Sequence, residues 1–172
     1  GNCTPCLPGE YASIEIQTSS SSCAPCPKGS YSNDVESSMC ISCPLGHVTP
    51  HEGSTNITDC TPCSMGTYSE DGAICMDCPA GSYSSVEAAY SLEICSLCPA
   101  GSWSSSPGLN ASDLCHLCPE GTYSPIEGAK SQSTCLQCPS DTFSLRGAAS
   151  CVACPIGSQI VVNENNVTSC IP

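Results

Sequence analysis

The sequence is poor in cations and aromatic residues and has no long apolar run, and each deficit excludes a class of partner. Three Lys and Arg residues stand against 16 Asp and Glu residues, so the formal net charge is -13. Nucleic-acid binding depends on Lys and Arg contacts to phosphate groups, so we expect no nucleic-acid partner. Anionic membrane surfaces are disfavoured for the same reason. No apolar stretch approaches the length of a membrane span, so none is expected within this window.

Cysteine is abundant where large apolar residues are scarce. The 172 residues include 19 Cys but only one Trp and one Phe, a composition typical of a disulfide or metal scaffold. The cysteines form Cys-x-x-Cys dyads, and a tenth dyad is cut after Cys170. We therefore treat residues 1–172 as about nine tandem repeats and expect a window of a longer chain. The nine modules begin at Cys3, Cys23, Cys40, Cys60, Cys75, Cys95, Cys115, Cys135 and Cys151.

The same turn signal follows each dyad. In residues 26–29 (Cys-Pro-Lys-Gly), Pro and Gly take the second and fourth positions of a predicted type I turn. The glycine recurs in every module except the eighth, where Asp141 replaces it, and Asp tolerates a positive φ. Two places later comes a bulky residue such as Tyr31. We expect it to be the one large core side chain of its module, packed on a disulfide.

No segment sustains the apolar period of a long helix, and short β-patterned stretches between turns predict two-stranded ribbons. The predicted fold class is small and disulfide-rich: an elongated tandem array of short β-hairpin modules with little regular secondary structure. Such an array is expected to couple only neighbouring modules.

Paired Cys-x-x-Cys motifs on their own would predict zinc, but three features favour disulfides. The composition is rich in Ser, Thr, Pro and Gly, as in secreted repeat proteins. Ten dyads would need about five zinc ions in one acidic chain. The sequence also holds four N-glycosylation acceptors, Asn2, Asn56, Asn110 and Asn166. We expect no metal site and no cofactor, N-linked glycans on these four residues, and an extracellular location, secreted or at the cell surface.

Two disulfide arrangements are reasonable. A crossed arrangement joins whole dyads in twos, Cys3–Cys23 with Cys6–Cys26 and onwards. We favour a staggered arrangement, in which the second cysteine of each dyad pairs with the first of the next, because it makes every loop an equivalent closed hairpin. Its pairs are Cys6–Cys23, Cys26–Cys40, Cys43–Cys60, Cys63–Cys75, Cys78–Cys95, Cys98–Cys115, Cys118–Cys135, Cys138–Cys151 and Cys154–Cys170.

The recurring segments CAPCPKGSYS, CMDCPAGSYS and CHLCPEGTYS give the chain a family resemblance. They resemble the ephrin-receptor-like cysteine-rich repeat and are more distantly similar to the cysteine-rich modules of tumour-necrosis-factor receptors. The resemblance covers essentially the whole chain. It implies an extracellular, rod-like, disulfide-bonded array without catalytic residues. Such repeats occur in animal receptors and in long surface proteins of protists, including mastigoneme-like proteins.

A longer period overlies the modules. The four sequons stand 54, 54 and 56 residues apart, which indicates a super-repeat of three modules. If successive modules turn by about a third of a revolution, the glycans line one face of a rod. The alternative is a history of duplication without geometric meaning.

Two classes of function remain. The regular module lengths favour a structural extracellular glycoprotein, a rod or filament segment that self-associates or contacts neighbouring chains of a filament or surface coat. The alternative is a ligand-binding or adhesive stalk of a cell-surface receptor. An enzyme is not expected, since His47, His51 and His116 read as solvated loop residues without a nucleophile.

Overall fold

The computed structural model describes residues 5–12, 23–162 and 168–171. In this part the regular structure consists of 18 strands of two to four residues and four 3-10 helices of three residues. The strands are β1 (Glu10–Ala12), β2 (Cys23–Pro25), β3 (Ser30–Tyr31), β4 (Ile41–Ser42), β5 (His47–Val48), β6 (Thr61–Pro62), β7 (Thr67–Tyr68), β8 (Met76–Asp77), β9 (Ser82–Tyr83), β10 (Ser96–Leu97), β11 (Ser102–Trp103), β12 (His116–Leu117), β13 (Thr122–Tyr123), β14 (Leu136–Gln137), β15 (Thr142–Phe143), β16 (Val152–Ala153), β17 (Gln159–Val162) and β18 (Thr168–Ile171). The 3-10 helices are Ile57–Asp59, Leu92–Ile94, Ser112–Leu114 and Gln132–Thr134.

Each odd-numbered strand pairs with the next even-numbered strand to form a two-stranded sheet. The first strand holds the bulky residue of its module, and the second, up to β16, spans the two positions between the cysteines of the next dyad. In β3 and β4, for example, Tyr31 lies opposite Ile41 in an antiparallel register. The fold is small and disulfide-rich, a series of short hairpin modules with little regular secondary structure, as the sequence predicts.

Nine disulfides close these hairpins, with Cα–Cα distances of 5.5 to 5.9 Å. They are the nine pairs of the staggered arrangement: Cys6–Cys23, Cys26–Cys40, Cys43–Cys60, Cys63–Cys75, Cys78–Cys95, Cys98–Cys115, Cys118–Cys135, Cys138–Cys151 and Cys154–Cys170. Cys3 lies outside the described residues. Loops of this length are each stabilised by about 3 kcal/mol in the chain-entropy model, which compensates for a small core.

The core differs from the one expected. The bulky residue is the main core side chain only in module 3, where Val48 is buried; in the other modules from 1 to 8 it is half-buried. The fully buried side chains are small ones: second-position half-cystines such as Cys98, hydroxyl residues such as Ser124 and Thr49, and Ala89. A module of this size does not fully enclose an aromatic ring, so the bulky residue stays partly exposed.

The chain divides into two compact units. The first comprises residues 1–76 and 86–94, and the second comprises residues 77–85 and 95–172. Each unit contains several modules, and the contacts described below lie within one unit. In the part of the chain that the structure describes, no helix has the length and hydropathy that a membrane crossing requires.

Candidate functional site

The turn after each dyad is shifted by one residue from the predicted type I turn. Ser30 N–H donates to the Pro27 carbonyl, so the turn covers residues 27–30 and places Gly29 at its third position with a φ of 80°. A positive φ at that position is the requirement of a type II turn. Asp141, which stands in place of the glycine, has a φ of 64°, which confirms that the position imposes a positive φ.

Hydroxyl side chains explain the residues that follow the turn glycine. The Ser or Thr immediately after it donates its side-chain O–H to the carbonyl at the start of the turn, as from Ser102 to Pro99 at 2.7 Å. The Ser after the bulky residue is buried, and its Oγ bonds within its own loop in several modules, whereas Ser144 Oγ–H donates to the Thr122 carbonyl of the preceding module. Ser124 Oγ, for instance, accepts from Ile126 N–H at 3.4 Å. The Ser that follows the bulky residue two places after the turn glycine is therefore a core residue.

A second recurring position makes the junction between successive modules. We call it the junction residue. It lies in the loop six or seven positions after the turn glycine, or after Asp141 in module 8, and its φ is positive. In most modules its N–H donates to the carbonyl of the second cysteine of the preceding module, as from Gly128 to Cys98 at 2.8 Å. The junction residues are Glu36, Gly53, Gly72, Ala88, Gly108, Gly128 and Gly147.

Module 4 deviates from this junction. Its Gly72 N–H donates to Ser69 Oγ of its own loop at 3.1 Å, and its carbonyl accepts from Thr49 N–H at 3.2 Å. In the other modules from 2 to 8, the carbonyl of the residue after the junction residue accepts the equivalent bond, as Ala129 does from Ser104 at 2.9 Å.

The residue before the second cysteine of a dyad packs against the junction residue of the next module. A Cβ added to Gly128 would lie 2.9 Å from Leu97 Cδ2, and one added to Gly147 would lie 3.1 Å from Leu117 Cδ2. Asp77 contacts Gly108 in the same way, because a Cβ added to Gly108 would lie 3.0 Å from Asp77 Oδ1. The second variable position of these three dyads thus contributes to module packing, although the residues there are largely exposed.

The turn glycine reaches two modules downstream. A Cβ on Gly29 would lie 2.9 Å from the Asp71 carbonyl oxygen, and one on Gly81 would lie 2.8 Å from the Gly128 carbonyl carbon. The same contact joins Gly9 with Gly53, Gly46 with Ala88, and Gly101 with Gly147. Contacts therefore extend beyond neighbouring modules, because the absence of a side chain at the turn lets two backbones lie close together; that only neighbouring modules are coupled in stability stays a prediction.

The two sequons within the described residues occupy exposed loops before 3-10 helices. Asn56 is the N-cap of the helix Ile57–Asp59, and its Oδ1 accepts from both the N–H and the hydroxyl of Thr58. Asn110 lies one residue before the N-cap Ala111 of the helix Ser112–Leu114. The two asparagines therefore hold similar but not identical positions relative to their helices. Asn2 and Asn166 lie outside the described residues.

The model of the family described as tyrosine-protein kinase ephrin type A/B receptor-like matches residues 15–60, 88–135 and 109–144, more than half of the chain. The chain belongs to the ephrin-receptor-like family. A comparison with curated proteins found no match for it. The family matched is a receptor-like cysteine-rich repeat and not a catalytic domain.

The histidines of this ephrin-receptor-like chain do not all lie in loops. His47 is on β5, with Nδ1 3.0 Å from the Leu45 carbonyl oxygen, and His116 is on β12 beside Trp103, with ring centroids 4.9 Å apart. His51 lies in an exposed loop. Within the described ranges, no group of three or more His, Cys, Asp and Glu side chains is arranged to hold a metal ion.

Proposed function

We propose that the chain is a structural segment of an extracellular glycoprotein, a rod or filament element whose length is set by the number of modules. The observation that supports this proposal is the repeated contact between modules. Most module loops donate a hydrogen bond to the carbonyl of the second cysteine of the preceding module. The turn glycines also lie against the backbone of the second module downstream. Contacts that span three modules resist bending more than a single shared interface does. This property suits a spacer better than a catalyst.

The proposal includes glycans on Asn2, Asn56, Asn110 and Asn166, repeated once in every three modules. Exposure of Asn56 and Asn110 supports it, because an acceptor must be accessible to the transferase. Sugars would shield a chain whose core is too thin to hide its backbone. If the triplet sets a common direction, they mark one face and leave the other faces free for neighbouring chains.

Lateral contact with neighbouring chains has support in exposed apolar side chains. Ile57, Leu92 and Leu114 recur in three of the 3-10 helices and are 52%, 44% and 46% exposed. The net charge of -13 opposes close approach of like chains, and salt screens that repulsion. We therefore expect self-association to strengthen as salt is added. Sedimentation velocity at several salt concentrations measures this, and association that weakens with salt would count against apolar lateral packing.

Small-angle X-ray scattering tests whether the chain has the elongated shape of the proposed rod. Secreted chains of three, six and nine modules should share one cross-section, while their maximum dimension grows by an equal amount with each added triplet. A radius of gyration that follows the roughly 0.38 power of chain length, as in compact domains, would refute the rod.

The family supplies a second candidate, a ligand-binding or adhesive receptor stalk, because the matched model is described as receptor-like. The two candidates differ in what the modules bind. Saturable binding of the monomeric chain to cell surfaces, lost on mutation of a single module, would favour the stalk. Association that depends on chain concentration and spreads evenly over modules would favour the filament.

A further inference from the structure

The disulfide of module 4 differs from the others in accessibility. Among the half-cystines that the structure describes, Cys75 is the one whose residue surface is exposed, whereas its partner Cys63 is completely buried. The Cys63–Cys75 loop is also the shortest, with a sequence separation of 12. Of the two half-cystines, Cys75 is therefore the one nearer to solvent, and attack at its Sγ would make Cys63 the sulfur that leaves.

Module 4 also lacks features that hold the other loops. Ser64 stands where most modules have the proline that fixes the start of the turn. Within residues 23–162, no 3-10 helix precedes Cys75, as none precedes Cys40 or Cys151, whereas one precedes Cys60, Cys95, Cys115 and Cys135. The Gly72 N–H, as described above, bonds to its own loop instead of the preceding cysteine carbonyl.

We propose that Cys63–Cys75 is a redox site, the disulfide of this chain that a dithiol reductant opens first. A thiolate of the reductant attacks Cys75 Sγ, the Cys63–Cys75 bond breaks, and Cys63 leaves as a thiolate that takes up a proton. The second thiolate of the reductant then attacks its own sulfur in the mixed disulfide. Cys75 leaves and is protonated, so two cysteine sulfurs are reduced while the dithiol becomes a cyclic disulfide. This inference does not depend on the rod or filament role.

Charge selects the class of reductant. Twelve carboxylates and no Lys or Arg lie between Lys28 and Lys130, and Asp71 and Asp77 are close to Cys75 in the chain. An incoming anion is repelled by such a surface, and salt screens the repulsion. The site therefore favours a dithiol that carries no negative charge besides the attacking thiolate.

Partial reduction of the full chain with limiting dithiothreitol, followed by alkylation and peptide mapping, tests the order of opening. Thiols at Cys63 and Cys75 should appear about tenfold faster than those at Cys98 and Cys115, which form a buried disulfide in the same chain. Alkylation that begins at another pair, or equally at all pairs, would overturn the proposal.

Two further measurements complete the test. The charge selection is tested on the first attack with monothiols: cysteamine, whose thiolate form is a zwitterion, should form the mixed disulfide faster than glutathione, whose thiolate form carries further net negative charge, at equal thiolate concentration. The ratio should fall as salt is added, and the reverse order would overturn the charge selection. In the reduced and alkylated chain, amide exchange should accelerate at Ser69 and Thr49, whose N–H groups hold the module 4 junctions. It should stay unchanged at Ser124 in the other unit, and unchanged exchange at Ser69 would show that the loop does not open.

Discussion

A methyl group at Gly101 should disturb module 8, two modules away. Both Gly101, with a φ of 84°, and Gly157, with a φ of 90°, hold a conformation that Ala resists at a cost of about 1 kcal/mol. The two positions differ in their surroundings. A Cβ at Gly101 would overlap the carbonyl oxygen of Gly147 and lie 2.6 Å from its carbon, whereas one at Gly157 would have no heavy atom within 4 Å.

The overlap can be relieved if module 8 moves away by roughly 1 Å, since carbon atoms prefer separations near 3.5 to 4.0 Å. Two hydrogen bonds at that junction would be strained, from Gly147 N–H to the Cys118 carbonyl and from Ser124 N–H to the Ala148 carbonyl. Each is worth about 1 kcal/mol. Gly101→Ala should therefore cost about 3 kcal/mol and Gly157→Ala about 1 kcal/mol.

Hydrogen–deuterium exchange resolved to single amides gives the measurement. The extra 2 kcal/mol or so corresponds to about thirtyfold faster exchange at Gly147 and Ser124 in Gly101→Ala. Gly157→Ala is the matched control and should leave both amides unchanged. If the two substitutions had equal effects there, or if Gly101→Ala changed only its own turn, the contact across two modules would not carry stability.

Three further predictions address the turn, the core and the sequon. Asp141→Gly should stabilise module 8 by about 0.5 kcal/mol in the exchange of its amides, while Asp141→Val should destabilise it, because a β-branched residue resists a positive φ. Ser144→Ala should lower the stability of the same module by about 1 kcal/mol, since Ser144 Oγ–H donates to the Thr122 carbonyl at 2.8 Å and is buried; no loss would mean that water replaces the hydroxyl. For the secreted chain, Asn56→Gln should remove one glycan by intact mass, whereas Thr58→Ser should retain it. An unchanged mass in Asn56→Gln would show that Asn56 carries no sugar.

The turn glycines could be predicted because a local backbone requirement repeats in the sequence. The positive φ of Asp141 could be predicted for the same reason, since Asp is one of the few residues besides glycine that tolerate a positive φ. The buried serines were not predicted because Ser is usually a surface residue, and nothing in one module shows that a Tyr ring is too large to enclose. The relevant pattern was the pairing of Tyr31 with Ser32, repeated in module after module.

The junction residues were not predicted either, although the sequence repeats a small residue at a nearly fixed interval after the turn glycine. Gly53, Gly108 and Gly128 follow their turn glycines by seven residues, and Ala88 keeps that interval without being glycine. The contact between turn glycine and junction joins residues about 40 to 50 positions apart, so no local pattern reports it. Only the recurrence of a second small residue per loop could have indicated that another backbone approaches there.

The residues that fix the fold are confined to a few positions in each module: the cysteines, the turn glycine, two hydroxyls and the junction residue. Many of the remaining apolar side chains are exposed, and Leu136 and Val152, for example, are about half exposed on the strands between dyad cysteines. Such residues add little to folding, because the disulfides and the backbone junctions hold the module without them. Their exposure has a use if another chain covers them. In a filament that cover would recur from module to module, whereas in a receptor stalk it would be confined to one stretch of modules. Replacing Leu136 and Val152 together with Ser should therefore leave the amide exchange of Ser124 unchanged and weaken self-association. If the substitutions unfolded the modules instead, these side chains would belong to the core, and the assignment of the surface to partner contact would fail.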